Sequence, residues 1–144
     1  MPYAVLAAAL VALDQLVKYL VRANIPLGES IPFLPHVMDL AYVQNTGAAF
    51  SFFSQHTWLL TLISLAATVL LAAAIWRRFF KSRLGLFTLT LLLAGAAGNL
   101  IDRALLGFVT DMFKTTFMDF AVFNVADICV TVGGVLLVVC VLFV

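Results

Sequence analysis

The chain has 144 residues, 65% of them apolar and only 10% charged, with a mean hydropathy of +1.15. A soluble domain is about half apolar and about a quarter charged, so this composition describes an integral membrane protein, and the length suits one unit, residues 1–144. A net charge of +1 gives no electrostatic footprint for nucleic acid, and no such partner is expected.

A bilayer core takes about 20 apolar residues of helix, and four stretches meet that length. The first spans about residues 3–22. It has no basic region at its start, and Asp14 interrupts the apolar run, so it is expected to be retained and not cleaved as a signal peptide. Asp14 and Lys18 stand four apart and can face one another as an intramembrane ion pair.

The connection that follows, residues 23–56, is too long and too apolar for a plain linker. "IPLGESIPFLP" holds three prolines and a glycine, which favour turns. "VMDLAYVQNTGAAFSFF" mixes β-branched and aromatic residues and breaks at Asn45-Thr46-Gly47, which predicts a small strand or hairpin at the membrane surface. Asn45 suits that turn, since Asn tolerates left-handed backbone. His36 and His56 flank no Cys or Glu at ligand spacing, so neither a metal nor any other cofactor is expected. Ser51, Ser54, Ser64 and Ser82 lack an evident base, though residues alone leave open a Ser–His pair within this connection.

The second span covers about residues 57–76. The loop after it, "RRFFKSR", carries Arg77, Arg78, Lys81 and Arg83, whereas no Lys or Arg lies between Arg22 and Arg77 and only Lys114 follows Arg103. The positive-inside rule puts this loop in the cytoplasm, and with four spans both termini as well. Arg22, near the outer end of span one, runs mildly against that orientation.

The third span, about residues 84–104, contains "LLLAGAAGNLIDR". Gly95, Ala96, Ala97 and Gly98 remove bulk and let another helix approach. Asn99, Asp102 and Arg103 fall at i, i+3 and i+4 and are expected to share a face. Two readings stay open for them: an Asp–Arg pair holding helices together, or a clamp in which Arg103 donates to a peptide carbonyl.

The fourth span, about residues 125–144, begins beside Asp127. Its two cysteines, Cys129 and Cys140, sit roughly 16 Å apart along one helix, too far for a disulfide, and read as packing residues. Asp111 lies on the outer loop after span three, sixteen residues before Asp127, and the returning chain can bring the two together. Two close carboxylates share a proton, one holding it while the other activates water. The bland alternative is that both cap helix starts. Asn124, one turn before Asp127, suits either orienting that carboxylate or capping the helix.

Five stretches resemble one family in its order: "DQLVK" (14–18), "NTGAAFS" (45–51), "GAAGNLIDR" (95–103), "VTDMF" (109–113) and "FNVAD" (123–127). These resemble the lipoprotein signal peptidases, or signal peptidase II, over about residues 10–135. The resemblance implies an all-α membrane protein of four transmembrane helices, with a small extracytoplasmic β-element between helices 1 and 2 cradling the substrate. It implies an aspartic endopeptidase of the bacterial cytoplasmic (inner) membrane. The expected partners are a lipidated prolipoprotein, cut just before its diacylglyceryl cysteine, and membrane lipid, with the chain acting as a monomer. Asp111 and Asp127 would be the catalytic pair, and Asn45 and Arg103 would contact the substrate backbone. Asp14, Lys18, Gly47, Asn99, Asp102 and Asn124 would support the site, and part of the second outer loop would act as a lid. Ile128 departs from the family, where many relatives carry Ser or another small residue; Met112 and Phe113 stand where Phe-Ile or Phe-Trp is more familiar. The competing expectations are a small proton-coupled transporter that uses intramembrane carboxylates and a non-catalytic scaffold.

Overall fold

The computed structural model describes residues 2–47 and 57–143. The end of the "NTGAAFS" stretch, together with Ser51, Ser54 and His56, lies outside the described residues. Four helices, α1 (Pro2–Asn24), α2 (Thr57–Trp76), α3 (Arg83–Leu106) and α4 (Val125–Phe143), are long and apolar enough to cross a membrane. Their bounds match the four predicted spans to within two residues, because each apolar run is bounded by turn residues or cations.

Helix α3 is central and packs on the other three. Ser82 caps its start, the Oγ accepting from the Gly85 N–H at 3.1 Å, and Gly107 ends it in the left-handed conformation at φ 79°. The small-residue stretch does what its composition predicts. A side chain at Gly95 would stand 2.5 Å from the Ala126 carbonyl oxygen of α4, and one at Gly98 2.6 Å from Asp14 Oδ2 of α1. Further along the bundle a side chain at Gly133 would stand 2.9 Å from Leu92 Cγ, and Thr88 meets Cys140 at 3.7 Å. Both cysteines are free and buried.

At the bundle end where α1 and α3 finish, three strands form an antiparallel sheet in the order β1-β2-β3. Strands β1 (Ser30–Leu34) and β2 (Met38–Asn45) form the β-element expected between α1 and α2, with a correction: β1 lies in the proline-containing stretch read as turns, and β2 ends at Asn45, where the break was expected. The turn between them is made by His36 at φ 62°. Strand β3 (Val109–Thr115) is a correction to the sequence reading, which left Asp111 on a loop. Its residues pair with β2 from Met38↔Thr115 to Asn45↔Val109, with a bulge between Leu40 and Val43. The second outer connection is therefore partly sheet, and Phe113 and Phe123 exchange backbone hydrogen bonds of 2.8 and 3.2 Å that draw the start of α4 against β3. Only residues 116–122 lie between the end of β3 and Phe123.

Strand β3 is buried on both faces over Val109–Met112. Successive side chains alternate. Met112 turns into an apolar cluster with Val21 of α1 and Ile25 just after it, so this residue packs on the face away from Asp111.

Candidate active site

The sheet register builds the first half of the site. Asn45 lies opposite Val109, so it shares a face with Asp111 one diagonal step away, within reach of a cross-strand contact. Asn45 Nδ2 donates to Asp111 Oδ2 at 2.9 Å. Its Oδ1 meanwhile accepts the Gly47 N–H at 2.8 Å, with Gly47 at φ 93°. The turn reading and the site reading of Asn45 are one geometry, and Gly47 supplies a left-handed backbone that a side chain would strain.

The start of α4 builds the second half. Asn124 Oδ1 accepts the Asp127 N–H at 2.9 Å, and Asp127 Oδ2 accepts the Asn124 N–H at 3.1 Å. This is the reciprocal pattern of a capping box, which satisfies two otherwise orphaned donors. Asn124 Nδ2 then reaches across to Asp111 Oδ1 at 2.7 Å. One buried residue thus touches both carboxyl groups, and capping and orienting turn out to be compatible. Asn99 of α3 completes the ring, its Nδ2 donating to Asp127 Oδ1 at 2.9 Å. All four oxygens of Asp111 and Asp127 accept an N–H.

Behind this ring lies a buried charge cluster. Lys18 Nζ is 2.9 Å from Asp14 Oδ2, as predicted, and 3.4 Å from Asp102 Oδ2. It also donates to Asn99 Oδ1 at 3.0 Å, which fixes the amide so that its N–H side faces Asp127. Asp14 Oδ1 accepts the Ala126 N–H of α4 at 2.8 Å. A carboxylate on one helix thereby satisfies the free N-terminal amide of another. Among the described residues no buried side-chain nitrogen or oxygen lacks a partner.

The expected shared face of Asn99, Asp102 and Arg103 is only partly present. Asn99 and Asp102 face α1 and the site, but Arg103 turns to α2 and donates to Ser64 Oγ at 2.9 Å. Asp102 pairs with Lys18 and, at 4.0 Å, with Arg22. Adjacent helical residues differ by about 100° in direction, so one helix cannot aim both at the same partner. No Asp102–Arg103 salt bridge is present among the described residues. Arg103 instead lines a groove of about 440 Å³ with Thr57, Trp58 and Thr61.

Four participants were given no role at the site by the sequence. Gln15 Nε2 bridges Asp14, the Gly98 carbonyl and Asp102 at 3.0–3.2 Å. Arg22 donates to Thr110 Oγ1 at 2.8 Å, and Ser64 receives Arg103.

Burial pushes the Asp111 carboxyl up to about 6; hydrogen bonds from Asn45 and Asn124 oppose the shift, and the Asp127 charge adds to it. Asp127 opens onto a mostly apolar groove of about 430 Å³, lined by Asn45, Phe120, Phe123, Ile128 and Val132 among others. A buried acid with a raised pKa, beside a second carboxylate at the mouth of an apolar groove, suits acid–base work on a greasy ligand.

A family model described as Signal peptidase (SPase) II matches residues 6–143. A protein of Streptococcus pyogenes named lipoprotein signal peptidase is 43% identical over 134 residues, covering 91% of this chain and 86% of its own. One of the same name from Lactococcus lactis is 44% identical over 133 residues, 90% and 85% of the two chains. Two solved structures titled as bacterial membrane enzymes, determined by the in meso method, each superpose with a TM-score of 0.86 at 30% identity. They cover 98% and 99% of this chain, and 87% and 93% of their own.

Proposed function

The chain belongs to the signal peptidase II family, and from that premise we propose that Asp111 and Asp127 are the water-activating pair of an aspartic endopeptidase. The substrate is a prolipoprotein whose cysteine already carries diacylglycerol, and the bond cut is the one just before that cysteine. Asp127, exposed to the groove, is the base; Asp111, raised toward neutrality by burial, is the acid.

In the reaction a water between them attacks the scissile carbonyl. Asp127 takes the water's proton as the C–O bond forms, and the Asp111 proton moves onto the developing oxyanion. When the tetrahedral intermediate collapses, the C–N bond breaks. The leaving amine takes the proton from Asp127, and Asp111 recovers its own from the hydroxyl. One water is consumed and both carboxyl groups return to their starting states. Asn45 and Arg103 contact the substrate backbone, and residues 116–122 cover the peptide while the apolar groove accepts its lipid-side portion. The site works on the extracytoplasmic face of a bacterial inner membrane, and a single chain holds every group required.

The observation that carries this reading is the ring of N–H donors on all four carboxyl oxygens, with Asn124 touching both acids. It fixes the pair in place before substrate arrives, which lowers the reorganisation needed in the transition state. A proton relay is less well supported. Asp14 and Asp102 are each held by Lys18 and by a backbone N–H, which ties their charge to structure.

The test is cleavage of a lipidated precursor in detergent. Asp111→Asn and Asp127→Asn should each lower the rate by about a thousandfold while the protein stays folded. Full cleavage by either variant would end the reading.

A further inference from the structure

Arg22 is the cation that runs against the charge rule, and nothing in the proposed chemistry uses it. Its side chain is only 24% exposed. Nη1 donates to Thr110 Oγ1 at 2.8 Å and lies 4.0 Å from Asp102 Oδ1. Asp102 in turn accepts the backbone N–H of Thr110 at 2.8 Å. Thr110 is fully buried. One residue is therefore gripped at its hydroxyl by α1 and at its amide by α3. The residue that follows it is Asp111.

The placement has a geometric consequence. On a strand, fixing one residue's side chain toward one face fixes its successor toward the other. Thr110 turns to the α1–α3 end of the bundle, so Asp111 is directed toward Asn124 and Asn45. Gly107 turns the chain sharply after α3, and no other side chain anchors the start of β3 to both helices among the described residues.

We propose that Arg22 and Thr110 are positioning residues for the reaction: their clasp sets the backbone of β3 so that the Asp111 carboxyl meets the water held by Asp127. The inference rests on the catalytic reading of Asp111. Neither residue touches substrate. A displacement of about 1 Å at a reacting group can cost on the order of a hundredfold in rate, so the loss of one grip with the other retained should cost less.

The test uses Thr110→Val, which keeps shape and removes the hydroxyl, Thr110→Ser, which keeps it, Arg22→Met, and the double variant Arg22→Met/Thr110→Val. Steady-state cleavage of the lipidated precursor and thermal unfolding are measured for each, beside Asp111→Asn. Thr110→Val and Arg22→Met should each lower kcat about tenfold, with KM within about twofold of the parent. The double variant should be no slower than the slower single one, and Thr110→Ser should retain the parental kcat. Should Arg22→Met not fold, the Thr110→Val and Thr110→Ser comparison decides alone. A parental kcat in Thr110→Val, a rise confined to KM, losses that multiply in the double variant, or a Thr110→Ser as slow as Thr110→Val would each overturn the clasp. Full activity in Asp111→Asn would instead remove the catalytic reading beneath it, whereas an inactive Asp111→Asn beside a fully active Thr110→Val would remove the clasp alone.

Discussion

Asp111 carries a conflict between stability and chemistry in a single side chain. Burial raises its carboxyl to about 6, above the ordinary value for an unfolded chain. The ionised form is therefore harder to hold in the folded protein. Above about pH 6 that costs the fold on the order of 2–3 kcal/mol, the cost shrinks between about 6 and 4, and it is gone below the unfolded value. Asp111→Asn should accordingly melt higher than the parent at pH 8. The gain should fade as pH drops through 6 and vanish near 4, while activity is lost throughout. Unfolding in detergent across that range measures it, and a variant less stable at pH 8 would mean that the donors from Asn45 and Asn124 outweigh burial. Residues such as Asp14, Asp111 and Asp127 were legible in the sequence because a carboxyl group in an apolar chain is costly and must have a reason. The roles of Gln15, Arg22 and Thr110 were not, because their partners lie 83–88 residues away, and Arg22 stood out only as a cation against the charge rule.

At the scale of elements, helices were legible where strands were not. Each helix announces itself by about 20 apolar residues, a signal contained in its own sequence. Strand β2 showed through its β-branched and aromatic run, whereas β1 lies in a stretch whose prolines read as turns. Strand β3 has seven residues, and its pairing partner is β2, far earlier in the chain. A strand's identity lies in that partner, so "VTDMFKT" alone reads as a loop. What brings the helices close enough to share a site is the absence of side chains on α3. Gly95→Ala places a methyl 2.5 Å from a backbone oxygen of α4, which cannot move without shifting the start of that helix and Asp127 with it. It should destabilise the fold by about 1–3 kcal/mol, typical of overpacking, and lower cleavage as well. Gly134→Ala meets nothing within 4 Å and should do neither. Thermal unfolding and cleavage of the two variants side by side check the contrast, and equal effects would show that Gly95 is not a contact point.

Over the whole molecule, charge is sorted by position along the bundle. The loop between α2 and α3 holds Arg77, Arg78 and Lys81, with Arg83 opening α3. The sheet and the two acids sit at the other end, since α1 and α3 enter the sheet from their C-termini while α4 leaves it from its N-terminus. Arg22 sits at that end too, but it is mostly buried against Asp102 and Thr110, so it serves as an internal partner. Asp14 and Asp102 are balanced in formal charge by Lys18 and Arg22. By the positive-inside rule the loop cations are expected to put the α2–α3 loop in the cytoplasm, and the proposed function then has the acids facing outward. Asp119 and Lys81 are exposed at opposite ends, and the native cysteines are buried. A membrane-impermeant maleimide applied to intact cells should therefore label Asp119→Cys before lysis and Lys81→Cys only after it. The reverse order would place the acids on the cytoplasmic side, away from any substrate exported across the membrane, and the proposed reaction could not occur there.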